Sequence, residues 1–261
     1  MTLVCSICGG TGFCEAKVLW PDLIEAWQLD RAEADYIDRQ QGCACAACGT
    51  NLRGVALGDA IRQAIGTTLP LREAVEGGLF DEWAILDVNG APGVSSTMAS
   101  ISGYIRGDYP GLDLHDMPYE DAGFDLIFHS DTLEHVANPV RALEECRRIL
   151  RPGRRLCFTA PIIVARMSRS RAGLPSSWHG NTETAEGDLL VRNEFGADLW
   201  TKVLSAGFTD VALNQVDYPS GIAISAWNTA PAVRFKSKPI DVVDQLSPEL
   251  HVAAPDRGPY D

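Results

Sequence analysis

Two copies of one short pattern, Cys5-Ser6-Ile7-Cys8-Gly9 and Cys45-Ala46-Ala47-Cys48-Gly49, constrain this chain more than any other feature in it. A C-x-x-C turn presents two thiolates on one knuckle, and two knuckles complete the four-sulfur tetrahedron that zinc prefers. The glycine after each pair lets the backbone turn back, so that amides approach the sulfurs. If Cys5, Cys8, Cys45 and Cys48 share one ion, the 36 residues between the pairs must fold outward and return. Four thiolates fill the coordination shell and leave no position for water, so the expected zinc is structural. Six of the eight cysteines lie in the first 48 residues, which marks residues 1–55 as a small module. Cys14 and Cys43 are spares, and Cys43 is placed to replace one of the four.

The inserted residues carry two helical patterns. Leu23, Ile24 and Trp27 fall on one face of the first, and the second opens at Asp30 with Glu33 three residues on, a capping box. Residues 1–55 hold seven acids against four bases, and the whole chain carries a net charge of −13. That balance speaks against nucleic acid, whose phosphates call for Lys and Arg. No run of 18 apolar residues exists, and no basic segment leads into an apolar core at the start, so no membrane segment and a cytoplasmic location are expected.

Strand-like and helix-like segments then alternate, as an α/β fold with a mostly parallel sheet requires. Strands are predicted at 83–88, 103–106, 124–129, 154–159, 210–215 and 222–227. A helix is predicted from Asn138 as N-cap, with Pro139 in its first turn, to a stop before Pro152-Gly153. Another is expected from about Glu194 to Ser205, closed by Gly207. This places a second domain at 56–228, and a proline-containing extension at 229–261.

The first strand runs into Asp87-Val88-Asn89-Gly90-Ala91-Pro92-Gly93. Glycines alternate in most nucleoside-cofactor turns, but Asn89 and Ala91 stand in two such places here. Asn is the residue other than glycine that best tolerates a left-handed backbone, and Ala91 adds only a methyl group. No G-x-G-x-x-G follows the strand, which disfavours NAD.

Residues 113–162 resemble the class I S-adenosylmethionine-dependent methyltransferases. The likeness rests on Asp113, Met117-Pro118-Tyr119, Asp121, Phe124-Asp125, Leu133-Glu134-His135-Val136 and Leu150-Arg151-Pro152-Gly153. It implies a Rossmann-like sheet with helices on both faces and S-adenosylmethionine as methyl donor. It further implies that Asp87, Asn89, Gly90 and Gly93 approach the methionine part and that Asp108 holds the ribose. Asp113 and Leu114 would meet the adenine, with His129 and Ser130 at the carboxyl edge of the fourth strand. Only ten residues separate Gly93 from Tyr104, so the first crossover helix is short and the family's usual third strand is trimmed away.

Methyl transfer to a hydroxyl needs a base, and histidine suits that task near neutral pH. His179, in a long polar loop, is the leading candidate, with His129 lining the cofactor or acceptor pocket. His135 reads as structural or pocket-shaping. Arg166, Arg169 and Arg171 precede His179 and read either as a solvated segment or as the site that recognises an anionic acceptor, with Trp178 beside them. The leading function is methyl transfer to an O or N atom of a small molecule, such as a sugar or secondary metabolite. The alternatives are an rRNA or tRNA methyltransferase that reads through its zinc module, a regulatory module that has lost the cofactor, and a non-methylating reaction of S-adenosylmethionine.

Overall fold

The computed structural model describes residues 3–178 and 189–229. These fall in one compact unit, and residues 230–261 lie outside the described residues. The chain begins with β1 (Phe13–Glu15), α1 (Pro21–Ala26), α2 (Arg31–Gly42) and β2 (Cys43–Cys45). The hairpin of β1 and β2 brings the second cysteine knuckle back to the first. Asp30 and Glu33 form the expected capping box, each side chain accepting from the other's backbone amide.

Next come α3 (Leu52–Ala64), α4 (Leu71–Glu76), β3 (Ile85–Val88), α5 (Val94–Met98), β4 (Tyr104–Gly107) and β5 (Phe124–Ser130). They are followed by α6 (Pro139–Ile149), β6 (Leu150–Thr159), β7 (Ile162–Ile163), β8 (Arg169–Ser170), β9 (Asn193–Gly196), α7 (Leu199–Ser205), β10 (Asp210–Val216) and β11 (Gly221–Trp227). The main sheet has the order β10-β11-β6-β5-β3-β4. Strands β4, β3, β5 and β6 run parallel, and the β10-β11 hairpin closes the edge with β11 antiparallel to β6. All six predicted strands are present. With α5 only five residues long and β4 at the edge, the trimmed third strand is also confirmed among the described residues.

Alternating residues of each strand face opposite cores, as the pleat dictates. Leu86, Ile127, Leu156, Phe158 and Ile224 pack with α6 and α7. Ile85, Leu126, Phe128, Cys157 and Ala223 pack with α3, α4, α5 and the knuckle residues Cys5, Ile7 and Cys45. The boundary expected at residue 55 therefore falls inside α3, and the cysteine module shares a core with the sheet. Helix α3 was not anticipated, because it is buried along most of its length and shows no amphipathic period.

Helix α6 has the expected start, Asn138 accepting from the Arg141 amide with Pro139 at the first turn. The helix expected from Glu194 instead begins at Leu199. Glu194 is buried in β9, where Arg169 and Arg171 hold its carboxylate and keep that stretch extended.

Candidate active site

Asn89 has φ 63° and Gly90 has φ 77°, so the turn after β3 takes the left-handed path with asparagine in the first position. Its amide side chain is used on both ends: Oδ1 accepts from the Tyr109 amide at 2.8 Å, and Nδ2 lies 3.5 Å from Thr132 Oγ1. Ala91 is buried in the core under the turn. Gly93 has φ 79°, and a Cβ there would sit 1.9 Å from Thr50 Oγ1. Thr50 Oγ1 is in turn 3.2 Å from Cys48 Sγ. The last glycine of the turn is thus required by the cysteine knuckle against it, which joins the two parts of the molecule.

Asp87 is fully buried, and its carboxylate accepts from the Gly90 amide at 3.1 Å, the Tyr104 hydroxyl at 2.6 Å and the Ser95 hydroxyl. Burial raises its pKa, and the Ser95 and Tyr104 hydroxyls oppose that shift. Asp87 shapes the turn from below and does not line the cavity above it.

That cavity, of about 520 Å³, lies at the carboxyl edge of β3, β4 and β5, where open α/β sheets bind ligands. Asn89, Asp108, Asp113, Leu114 and Ser130 line it as expected. Asp108 is oriented by the Arg106 guanidinium at 2.9 Å, and that guanidinium lies so close over Gly90 that a Cβ there would come within 2.8 Å of it. Asp113 accepts from the His115 amide and from Nδ1 of its ring, each at 2.8 Å. The amide contact leads in holding this carboxyl below its usual range. His115 Nε2 accepts from the Asn138 amide, so the ring ties the adenine-side loop to the start of α6. A nucleoside bearing a charged methionyl group fits this lining: carboxylates for hydroxyls and amine, Leu114 for a flat ring, and a turn whose glycine lets the backbone approach. His115, Tyr109, Thr132 and Arg192 also line the cavity and carried no sequence signal of their own.

A second cavity, of about 340 Å³, adjoins the first; Asp131, His135 and Leu189 line both. Its wall is mostly apolar: Trp20, Leu23, Trp27 and Ile37 from the insertion between the knuckles, with Ile162 and Trp178 opposite. The insertion is fastened to the rest of the molecule by named bonds. Arg166 donates to Glu33 at 2.8 and 2.5 Å and to the Trp27 and Gln28 carbonyls at 2.9 and 2.7 Å. The Trp27 indole donates to Ser177 Oγ at 2.9 Å, and the Tyr36 hydroxyl accepts from the Val164 amide at 3.0 Å.

Several expected site residues lie elsewhere. His129 is fully buried, stacked on Phe158 at 4.9 Å, and lines neither cavity. Burial drives its pKa down to about 3, so it stays neutral and takes no catalytic proton. Arg166, Arg169 and Arg171 are engaged by Glu33 and Glu194, so buried carboxylates already meet the charge that the sequence offered to an anionic acceptor. The sequence showed their charge but not the distant acids that cancel it. Trp178 does line the apolar cavity. His135 lines both, as a pocket-shaping residue would, with its Nδ1 3.0 Å from the Leu190 carbonyl. His179 and His251 lie outside the described residues.

The four sulfurs of Cys5, Cys8, Cys45 and Cys48 lie within 4.8 Å of one another. Two of the separations, Cys5–Cys48 at 3.6 Å and Cys8–Cys45 at 3.7 Å, match the edge of about 3.8 Å that zinc–sulfur bonds of about 2.3 Å give a tetrahedron. Cys43 is buried outside the cluster and Cys14 is exposed, so neither replaces a member of the set.

Residues 98–158 match the family described as a methyltransferase domain. An uncharacterised 37.1 kDa transposon protein of Streptomyces fradiae is 47% identical over 49 residues, 19% of this chain and 14% of that protein. A highly reducing polyketide synthase of Aspergillus sclerotiorum is 25% identical over 165 residues, 59% of this chain and 6% of the synthase. The chain thus spans a small part of the curated relatives it matches. Among solved structures, an S-adenosylmethionine-dependent methyltransferase from Mesorhizobium loti is 17% identical, covering 68% of this chain and 100% of its own, with a TM-score of 0.41. Motifs, sheet order and the match over residues 98–158 agree that this part of the chain is similar to a methyltransferase domain on an open α/β sheet.

Proposed function

We propose that the protein transfers a methyl group from S-adenosylmethionine to an oxygen or nitrogen of a small, largely apolar molecule. The observation that carries this reading is the pair of adjoining cavities, one polar at the sheet edge and one apolar, with Asp131, His135 and Leu189 as their common wall. The apolar cavity has the size and lining of a small-molecule site. In-line displacement needs acceptor and donor held end to end, and two cavities with a shared wall supply that alignment. Asn89, Asp108, Asp113, Leu114 and Ser130 would hold the donor, which supplies an activated methyl group on sulfur. The insertion would enclose the acceptor and keep water out.

The four cysteines would hold a structural zinc, which ties the ends of the insertion and buttresses the donor turn through Thr50. Calorimetry with S-adenosylhomocysteine tests the donor site, and elemental analysis of the purified protein tests the metal. Failure to bind S-adenosylhomocysteine with the metal in place would overturn the methyl-transfer reading. One zinc per chain is expected.

A further inference from the structure

At the junction of the two cavities stands a charged pair that no motif announces. Arg53, on α3, is 3% exposed at its side chain, and its Nη2 lies 2.9 Å from Asp131 Oδ2. Arg53 lines only the apolar cavity, whereas Asp131 lines both. Arg53 Nε and Nη1 and Asp131 Oδ1 are buried and have no hydrogen-bond partner among the described residues. A buried polar atom without a partner costs about 1–3 kcal/mol, more when charged, so a pair kept with three such atoms calls for an explanation. Asp131 also has φ 50°, a left-handed backbone at the carboxyl end of β5, where strain accompanies function more often than elsewhere.

The unfilled atoms define what would satisfy them. A hydroxyl brought against the pair gives a proton to the Asp131 carboxylate and takes hydrogen bonds on its oxygen from the Arg53 guanidinium. A carboxylate would face the Asp131 charge, and an ammonium would face the guanidinium. The aromatic and aliphatic walls, Trp20, Trp27, Trp178 and Ile37, favour a flat apolar skeleton around that hydroxyl.

We infer that Arg53 and Asp131 form the site for the acceptor's reacting group, and that the acceptor is a phenol-like or enol-like hydroxyl on a flat apolar frame. The inference rests on the methyl-transfer reading and narrows it. In the transfer, the acceptor oxygen forms the new bond to the methyl carbon while the carbon–sulfur bond breaks with its electron pair left on sulfur. The acceptor's proton passes to the Asp131 carboxylate and later to water. Charge that gathers on the oxygen before the new bond is complete faces the Arg53 guanidinium. This gives the proton-accepting role to Asp131 in place of the histidines expected from sequence.

The test uses the full chain with its metal, saturated with S-adenosylhomocysteine, and follows fluorescence on titration with 2-naphthol, naphthalene, 2-methoxynaphthalene and 2-naphthoate. Binding of 2-naphthol at least tenfold tighter than each of the other three is expected. Equal binding of naphthalene or 2-methoxynaphthalene, tighter binding of 2-naphthoate, or no binding of 2-naphthol overturns the inference, and none of these readings depends on a variant. Arg53→Met should bring the 2-naphthol and naphthalene affinities within about twofold of each other, and Arg53→Lys should keep part of the preference. A preference unchanged in a folded Arg53→Met protein would also overturn it. Loss of S-adenosylhomocysteine binding speaks against the donor site instead, so the two failures are distinguishable.

Discussion

The two cavities share Asp131, His135 and Leu189, yet they are built by opposite means. The donor-side cavity is assembled from short-range pieces: a turn after β3, the end of β4, the loop carrying Asp113, and the end of β5. Some pieces are held by bonds to near neighbours in sequence, such as Asp87 with Gly90 and Asp113 with His115, and others by ties of moderate span, such as Asn89 with Tyr109 and His115 with Asn138. The apolar cavity is assembled from pieces more than a hundred residues apart, with Trp27 against Ser177 and Glu33 against Arg166. The polar cavity therefore rests on local backbone chemistry with ties of moderate span, and the apolar cavity on braces of more than a hundred residues.

The largest break in this comparison should come from the metal site. Chelation, or Cys45→Ser, removes the proposed zinc site, and a structural zinc is worth about 10 kcal/mol in small domains. The expected outcome is a large fall in melting temperature, with loss of 2-naphthol binding before loss of S-adenosylhomocysteine binding. Equal melting with and without metal would separate the knuckles from stability.

Arg166→Met comes next. It leaves Glu33 buried without its cation, at a cost of about 3 kcal/mol. Apolar-cavity binding should fall while S-adenosylhomocysteine affinity changes less than twofold, as read by calorimetry on the same preparation.

Gly93→Ala strikes the contact between the regions. Its Cβ meets Thr50 on a left-handed backbone, and a loss of about 2 kcal/mol in denaturant melts is expected, together with weaker S-adenosylhomocysteine binding. Full retention of both would show that the knuckle does not buttress the turn.

The buried His129 gives a pH signature that belongs to neither cavity. Its native pKa is lowered to about 3, so below its usual value of 6.5 the unfolded chain binds a proton that the native chain refuses. Stability from this group is complete above pH 6.5 and falls as pH drops from there toward 3, by about 1.4 kcal/mol per pH unit. His129→Leu should flatten the stability curve between pH 6.5 and 4.5, measured by urea melts. An unchanged slope would place the proton uptake on other groups.

The smallest effect is expected at Asn89. Asn89→Gly keeps the left-handed backbone, whereas Asn89→Ala strains it by about 1 kcal/mol and strips the Tyr109 amide of its acceptor. S-adenosylhomocysteine affinity should therefore rank wild type above Asn89→Gly above Asn89→Ala.

Much of the donor side was legible from residue order. The strands, the Asn138 cap, the Asp30–Glu33 box, Asn89 in the left-handed position and the cysteine set all depend on residues a few positions apart or on a repeated motif. Helix α3 escaped because burial on nearly all sides erases the helical period, and β9 was absorbed into a helix because Glu194 reads as exposed until its arginines arrive. His129 looked like chemistry because its strand ends at the ligand edge; its side chain turns into the core instead.

Taken alone, the sequence determined the alternation that builds the sheet, the four sulfurs, and the left-handed turn after β3, since each is written in local spacing and backbone preference. Only the tertiary structure decided which charges cancel and which stay available. Arg166, Arg169 and Arg171 are paired with buried acids, although Arg171 Nε keeps no partner, whereas Arg53, inconspicuous in the chain, keeps two nitrogens without partners beside Asp131. The reason is physical: a side chain's charge acts through its solvation and its neighbours within a few ångströms, and folding sets both by bringing together residues far apart in the chain.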